Sequence, residues 1–265
     1  MTEPLFTTDG DTFVPSEHVR GPWDPGAMHG GAPSALIARV MESLPTEVPM
    51  AVVRFTVDIL KPIPIAPVRI AARIERPGKR VQLVSAMLSA GGDEICRAVA
   101  WKIRVGDIDM PVTESVLPFP GPDAGQLFPP ESDQPAFHRT GVQLRFVRGT
   151  FWDVGPCTVW IRLQRPVLDG EEPSPVMRVL AAADFGNGVS SALEWGRYVY
   201  VNTDLTAYLF RPPTGDWICL DAISHVSTGG SGVADCELYD VDGPIGRSLQ
   251  ALYVDRLAGA TEAGS

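Results

Sequence analysis

The stretch "YVNTDLTAYLFRPP", residues 200–213, has a counterpart in the first half of the chain, "AVVRFTVDILKPIP", residues 51–64, in which Pro62 lies 150 positions before Pro212. Both alternate apolar and polar residues, as a half-buried strand does, and both end in a basic residue followed by proline. Each follows a stretch that contains alanine, leucine and two glycines, residues 30–44 and 184–195, for which we predict a helix. The repeated order of elements indicates an internal duplication of the chain.

The rest of each half alternates in the same way and predicts further strands. In the first half these are residues 9–23, 68–77, 80–92 and 93–104, and in the second half 141–154, 157–166, 217–227, 232–243 and 243–254. One long helix per half, wrapped by an antiparallel sheet, predicts an α+β fold. If the two halves pair edge to edge, they form one continuous sheet and cover edges that would otherwise promote aggregation.

The middle of the chain, residues 110–137, is dense in proline and glycine and cannot hold a helix or a central strand. We therefore predict an N-terminal module over 1–108, a proline-rich linker over 109–136 and a C-terminal module over 137–257. Residues 258–265 form a tail.

Composition and charge exclude several classes of protein. The net charge of −10 argues against a nucleic-acid partner. The cysteines are too far apart for a zinc site, the four histidines have no metal-ligand spacing, and we predict no metal and no cofactor. Free, buried thiols in a reducing compartment are the favoured interpretation of the cysteines, namely Cys96, Cys157, Cys219 and Cys236.

The start of the chain, "MTEPLFTTDGDTF", is acidic and lacks the apolar core of a signal peptide. No apolar run is long enough to predict a membrane span. From these two features we expect a cytoplasmic protein without a membrane span.

A carboxylate inside an apolar stretch is the first candidate for function. Asp184 stands in "AAADFGNGVSSALEWG", residues 181–196, directly after three alanines. Burying a polar group without a partner costs on the order of 2–7 kcal/mol, so Asp184 either reaches solvent or has partners. A helix cap, a buried ion pair and a general base all remain open at this point.

The order of elements and three motifs together resemble the TesB-type double hotdog acyl-CoA thioesterases. The motifs are "GGAPSALIARVM" at 30–41, "NTDLTAYLFRPP" at 202–213 and "GRSLQALYV" at 246–254. The resemblance implies two tandem hotdog modules and hydrolysis of an acyl-CoA by a water molecule. In that family an acid on the second-half helix, a Thr or Asn on the next strand and a Gln on the last strand hold the water.

These positions fall on Asp184, Asn202 and Gln250, which the resemblance implies as the catalytic residues. Some relatives have a hydroxyl residue at the position of Asn202, but an amide can also donate to a carboxylate or accept from water. The chemistry is reasonable for these residue types. A partly buried carboxylate can accept a proton from water, and the carbonyl of a thioester needs no side-chain nucleophile.

The duplication offers an internal comparison. The three polar residues have small or apolar counterparts in the first half, namely Ser34 for the acid, Val52 for Asn202 and Ala100 for Gln250. From this asymmetry we infer one working site per chain.

The stretch "WDPGAMHGG", residues 23–31, supplies the candidate substrate-binding residues His29, Gly30 and Gly31. Backbone N–H groups at a helix start can stabilise an oxyanion, and glycine lets a ligand approach the backbone. The alternative is structural: His29 packs at the start of the helix and the glycines shape the turn. Surface basic residues that could meet the CoA phosphates are Arg54, Lys61, Arg80 and Arg211, each of which could also be merely solvated.

The predicted function is hydrolysis of an acyl-CoA to a carboxylic acid and CoA, with the acyl-CoA as partner. A non-catalytic acyl-CoA or lipid-binding hotdog protein is the alternative, and a dehydratase acting on a thioester is a third, less favoured reading. Further association of double hotdog chains into a homo-oligomer stays open, as does the nature of the acyl group.

Overall fold

The computed structural model describes residues 2–109, 111, 116–129, 132 and 134–257. The first half contains β1 (Phe6–Asp9), β2 (Thr12–Pro15), α1 (Gly31–Glu42), β3 (Met50–Ile59), β4 (Val68–Arg76), β5 (Val81–Ala90) and β6 (Asp93–Arg104). The second half contains β7 (Gln126–Leu127), β8 (Val142–Arg148), β9 (Cys157–Leu163), α2 (Pro175–Ala183), α3 (Gly186–Val189), β10 (Tyr198–Asn202), β11 (Asp204–Leu209), β12 (Ile218–Val226), β13 (Ser231–Asp240) and β14 (Gly243–Arg256).

Fourteen strands of the described residues form one antiparallel sheet, in the order β1-β2-β4-β5-β6-β3-β11-β14-β13-β12-β9-β8-β7. The remaining strand, β10, pairs with β14 beside β11. The two halves of the chain meet where β3 pairs with β11. The predicted continuous antiparallel sheet is therefore present.

The two longer helices pack against each other and against the sheet. α1 contacts β3, β4 and β5, whereas α2 contacts β9, β11 and β12. The first eight residues of α1 are all buried, because a helix enclosed by sheet and by a second helix has little exposed surface. Ser174 caps α2 by accepting the Met177 N–H at 3.2 Å.

The helix predicted over 184–195 is wrong in position. α2 begins at Pro175 and ends at Ala183, and the chain continues only through the single turn α3. Glycine disfavours helix by about 1 kcal/mol at each position, and the Ser190 hydroxyl turns back to donate to the Gly186 carbonyl at 2.8 Å. Only the first half therefore has a helix of twelve residues, and the second half has one of nine.

Two other parts of the chain differ in detail from the prediction. The stretch 9–23 is not one strand, since β2 ends at Pro15 and a short turn follows. The described part of the linker crosses the sheet, where the Trp160 indole N–H donates to the Pro120 carbonyl at 3.0 Å, and it adds β7 to the edge of the sheet. Linker positions 110, 112–115, 130, 131 and 133, and the tail 258–265, lie outside the described residues.

Candidate active site

The Asp184 side chain lies at the C-terminal end of α2 and is only 5% exposed. Its Oδ1 atom accepts two amide hydrogens, from Asn202 Nδ2 at 2.9 Å and from Gln250 Nε2 at 3.2 Å. The structure thus brings together the three polar residues that the sequence singled out. Two N–H donors on one oxygen compensate this buried carboxyl group for the loss of contact with water.

The strand register explains how Asn202 and Gln250 reach the same carboxylate. Asn202 is the last residue of β10 and pairs with Leu252 of β14. Gln250 lies two residues before Leu252 on the buried face of β14 and is 1% exposed. Because side chains two apart share a face of a strand, both amides lie on the helix side of the sheet, below the end of α2.

Asn187 orients Gln250, and the sequence analysis did not identify it. The Asn187 backbone N–H donates to Gln250 Oε1 at 3.0 Å, which leaves the Gln250 amide nitrogen directed toward Asp184. The neighbouring Gly186 allows this approach, since a Cβ there would lie 2.8 Å from Gln250 Oε1. Of the two glycines after Asp184, Gly186 was the signal in the sequence for this close contact, whereas a Cβ at Gly188 would have no neighbour within 4 Å.

The His29 ring contacts Asp184 from the first half of the chain. Its Nδ1 atom lies 2.9 Å from Asp184 Oδ2 and 3.1 Å from the Gly31 backbone N–H. One ring nitrogen cannot donate to the carboxylate and accept from the amide at the same time. A hydrogen on Nδ1 serves the contact with Asp184, whereas a bare Nδ1 serves the contact with Gly31. Either way, the His29 ring is held against both the Asp184 carboxyl group and the start of α1.

Gly30 and Gly31 have different surroundings. A Cβ on Gly30 would lie 2.9 Å from Asp184 Oδ2, so the Gly30 backbone lies directly against the carboxylate. A Cβ on Gly31 would lie 2.6 Å from the Ala181 carbonyl, so this glycine lets α1 approach α2. The Gly31 N–H reaches His29, and the Gly30 N–H has no acceptor among the described residues.

A cavity of about 380 Å³ opens beside these groups. Asp184, Asn202, His29 and Gly30 line it, whereas Gln250 and Gly31 do not. Gln250 lies behind the carboxylate, on the side away from the cavity. Most of the wall is apolar, with Met28, Ile59, Leu60, Ile63, Phe128, Phe151, Phe185 and Val201 among its residues. A few polar groups in a largely apolar cavity are typical of a small-molecule site.

Trp195 and His138 belong to the cavity wall, and the sequence did not predict either of them there. Trp195 is 43% exposed and packs on Trp23 in a tilted arrangement, with 4.5 Å between ring centroids. His138 also lines the cavity, and burial lowers its pKa to about 4, with the neighbouring His29 and Arg139 acting in the same direction. His138 is therefore uncharged at neutral pH.

The basic residues proposed for CoA separate into different environments. Lys61 lines the cavity and forms an exposed ion pair with Asp93 at 2.9 Å. Arg211 is instead held by the fully buried Asp240, whose Oδ1 accepts Arg211 Nη2 at 2.6 Å. Arg211 thus has a structural partner that the sequence did not reveal.

The first half contains a carboxylate that corresponds in position to Asp184. Glu42 is the last residue of α1 and accepts the Ser174 hydroxyl from the start of α2 at 2.6 Å, just as Asp184 contacts the start of α1. Glu42 is therefore the structural counterpart of Asp184, and the expected pairing with Ser34 is wrong. The reason is the α3 segment, which lengthens the connection from helix to strand in the second half only.

No cluster of His, Cys, Asp and Glu among the described residues has the arrangement of a metal site. In the same residues, no helix has the length and apolar character that crossing a membrane requires.

Sequence profiles match both halves of the chain. The profile of the acyl-CoA thioesterase N-terminal domain matches residues 19–103, and that of the acyl-CoA thioesterase C-terminal domain matches residues 114–254. A search of curated protein sequences gave no match.

Solved structures share the fold over nearly the whole chain. A hotdog-fold protein from Alicyclobacillus acidocaldarius is 20% identical with a TM-score of 0.75, and the match covers 94% of this chain and 95% of that one. The TesB protein of Mycobacterium avium subsp. paratuberculosis is 15% identical, with a TM-score of 0.67 and coverage of 94% and 95%. The acyl-CoA thioesterase II TesB2 of Mycobacterium marinum is 13% identical, with a TM-score of 0.63 and coverage of 98% and 96%.

The ranges of the two profiles correspond to the two halves that meet where β3 pairs with β11. The chain belongs to the acyl-CoA thioesterase family, with a double hotdog fold, and it hydrolyses acyl-CoA thioesters.

Proposed function

We propose that Asp184 drives the hydrolysis by binding a water molecule in the cavity and accepting its proton. The single observation that supports this most is the convergence of Asn202, Gln250 and His29 on one buried carboxylate that lines the cavity. A carboxylate held on both oxygens keeps its orientation, and its position beside an apolar cavity suits proton transfer from a bound water.

The reaction then proceeds in two steps. The water oxygen bonds to the thioester carbonyl carbon while its proton passes to Asp184, and the carbonyl becomes an oxyanion. The Gly30 N–H, at the start of α1, donates to that oxyanion and adds the positive end of the helix dipole. The intermediate expels the CoA sulfur, which leaves as the thiol with the proton from Asp184. Products are the carboxylic acid and CoA.

The other residues have positioning roles in this proposal. Asn202 lines the cavity and can contact the water as well as Asp184. Gln250 lies behind Asp184, so it fixes the carboxylate without touching the substrate. His29 holds the second carboxylate oxygen and is itself fixed between Phe137 and Phe185, with centroid separations of 5.0 and 4.3 Å.

The experiment that tests this proposal follows the release of CoA thiol with a thiol-reactive dye. Asp184→Asn should lower kcat by about 10²-fold or more, the usual scale for a lost general base. Glu42→Gln is the matched control, since it makes the same kind of change at the corresponding helix end and should leave kcat unchanged. We expect Asp184→Asn to keep its thermal stability or gain some, because buried functional charges oppose folding.

Two results would contradict the mechanism. Full turnover by Asp184→Asn would remove this residue from the reaction. Binding of acyl-CoA by the wild-type protein without thiol release, whatever the acyl group, would favour the non-catalytic acyl-CoA-binding alternative instead.

The organisation and location of the chain complete the proposal. We place the two modules at 1–108 and 137–257, joined by the linker 109–136. Four buried, unpaired cysteines support a reducing compartment, so the cytoplasm is the proposed location. The net charge of −10 supports small acyl-CoA molecules, and not nucleic acids, as partners.

A further inference from the structure

One wall of the cavity is built from phenylalanine rings that come from three separate segments. Phe128 follows β7, Phe151 lies in the turn between β8 and β9, and Phe185 lies between α2 and α3. The Phe128 and Phe151 rings meet edge to face at 5.1 Å, and Phe151 and Phe185 are 6.5 Å apart. We call these three residues the aromatic wall.

The aromatic wall begins at the catalytic group. Phe185 follows Asp184 in the chain, and its ring lies 4.3 Å from the His29 ring that contacts Asp184. An acyl group whose carbonyl is at Asp184 must therefore meet Phe185 within its first few atoms. The adenine of CoA lies a whole pantetheine arm away from the thioester, so it does not compete for this surface.

The aromatic wall is firmly supported from behind. The buried Phe146 ring meets Phe128 at 5.7 Å and Phe151 at 5.4 Å, both edge to face. Phe128 and Phe151 are themselves only partly buried, because part of their surface faces the cavity. Another ring placed in the cavity can continue the edge-to-face arrangement, which adds to the gain from burial alone.

The size of the cavity favours a compact acyl group. Its volume of about 380 Å³ lies near the lower end of the range for small-molecule sites, roughly 300–1,000 Å³. The same space also has to admit the thiol end of CoA, which leaves room for a ring close to the carbonyl and little room for a long extended chain.

We propose that this thioesterase acts preferentially on arylacyl-CoA substrates, in which an aromatic ring lies one or two atoms from the thioester carbonyl and packs against Phe128, Phe151 and Phe185. This substrate class rests on the proposed hydrolysis at Asp184. A saturated chain gains burial against the same wall, but it lacks the edge-to-face contacts between rings.

The test compares kcat/KM for phenylacetyl-CoA and octanoyl-CoA, which have the same number of acyl carbons, using the full chain and thiol detection. We expect phenylacetyl-CoA to be favoured about tenfold, the scale of one aromatic contact. Phe151→Leu should bring the ratio close to one. Phe119→Leu is the matched control, because Phe119 packs edge to face on Tyr239 at 4.9 Å outside the cavity, and this variant should keep the wild-type ratio.

The same measurements distinguish a missing aromatic preference from a missing hydrolytic reaction. Equal or better hydrolysis of octanoyl-CoA by the wild-type protein would overturn the aromatic preference and leave the thioesterase reaction intact. A ratio that Phe151→Leu does not change would also overturn it. Release of no thiol from either substrate would instead remove the hydrolytic reaction, and the inference with it.

Discussion

Thr56 of β3 and Thr206 of β11 lie directly opposite each other where the two halves of the sheet join, and the Thr206 hydroxyl donates to Thr56 Oγ1 at 3.1 Å. They are also 150 positions apart in the chain, the same offset that relates the two halves of the sequence. A residue that faces its own repeat counterpart marks a two-fold axis, so the pseudo-symmetry of the duplication passes between these two threonines.

The neighbouring pairs obey the same symmetry. Asp58 faces Asp204, which is the counterpart of Arg54, and Arg54 faces Tyr208, which is the counterpart of Asp58. The joint between the halves is thus arranged as in a two-fold symmetric dimer, with the linker converting two modules into one chain.

The threonine pair should contribute measurably to stability. Thr206→Val removes one hydrogen bond and leaves the Thr56 hydroxyl without this partner, so we expect a loss of about 1 kcal/mol in the free energy of unfolding. Replacing both residues by Val leaves no unpaired hydroxyl and should cost less than the sum of the single changes. Urea unfolding of the two single variants and the double variant gives this coupling energy, and strictly additive losses would contradict it.

Gly30 should be intolerant of a methyl group for a steric reason. Its backbone has helical angles, φ −61° and ψ −20°, which alanine adopts without strain. The new Cβ would nevertheless lie 2.9 Å from Asp184 Oδ2 and would displace the carboxylate. We expect Gly30→Ala to lower kcat by up to about 10²-fold, as misplaced catalytic groups do.

The matched control for this change is Gly121→Ala in the linker, where a Cβ has no neighbour within 4 Å. Steady-state kinetics of both variants, with circular dichroism to check folding, separate displacement of Asp184 from a general effect of alanine. An unchanged kcat in Gly30→Ala would contradict the prediction, because it would show that the reaction tolerates a displaced Asp184 carboxylate.

Replacement of Asn202 should lower mainly the activity, whereas replacement of Gln250 should lower both the activity and the stability. Gln250→Leu removes a donor to Asp184 and also leaves the buried Asn187 N–H without its acceptor, a cost of about 1–3 kcal/mol. Asn202 is only partly buried, so water can replace its contacts in Asn202→Ala. Both variants should lose kcat, and only Gln250→Leu should also lose substantial stability in thermal unfolding. Equal stability of the two variants would contradict the role of Asn187.

The Arg211–Asp240 pair should make stability depend on pH on the acid side. Burial tends to raise the pKa of Asp240, but hydrogen bonds from Arg211 and from the Thr214 and Asp242 backbone outweigh it and lower the pKa below its usual value. Because the folded-state pKa is the lower one, the ionised group contributes stability at neutral pH. This contribution disappears as the pH falls below about 4.

Asp240→Asn should remove that pH dependence and cost about 3 kcal/mol at neutral pH, since it leaves Arg211 without its buried partner. The pair Arg178–Asp216, 3.1 Å apart, provides the control because its carboxylate is exposed: Asp216→Asn should change stability by less than about 1 kcal/mol. Urea midpoints measured from pH 3 to pH 7 distinguish the two cases. If the stability of Asp240→Asn still fell at acid pH as steeply as that of the wild-type protein, this assignment would be contradicted.

The alternation of apolar and polar residues along the sequence was sufficient to predict most strands and the internal duplication. Alternation in β4, β5, β6, β12 and β13 follows directly from a sheet that is buried on one face, so the sequence carries it at every second residue. It was not sufficient for the second helix, because the alanines before Asp184 are compatible with the start of a helix as well as with its end. The capping Ser174, further back in the chain, decides between the two.

For the active site, the sequence by itself determined that a carboxylate and two amides suited to holding water stand in the second half. It offered His29 and Gly30 only as candidates with a structural alternative, and it could not determine that they reach Asp184 from the first half. Those relationships arise only when β3 pairs with β11 and α1 packs on α2. The contacts of His29 and Gly30 with Asp184 join residues more than a hundred positions apart. Periodicity along the chain reports which face a residue occupies, not what it meets across the interface.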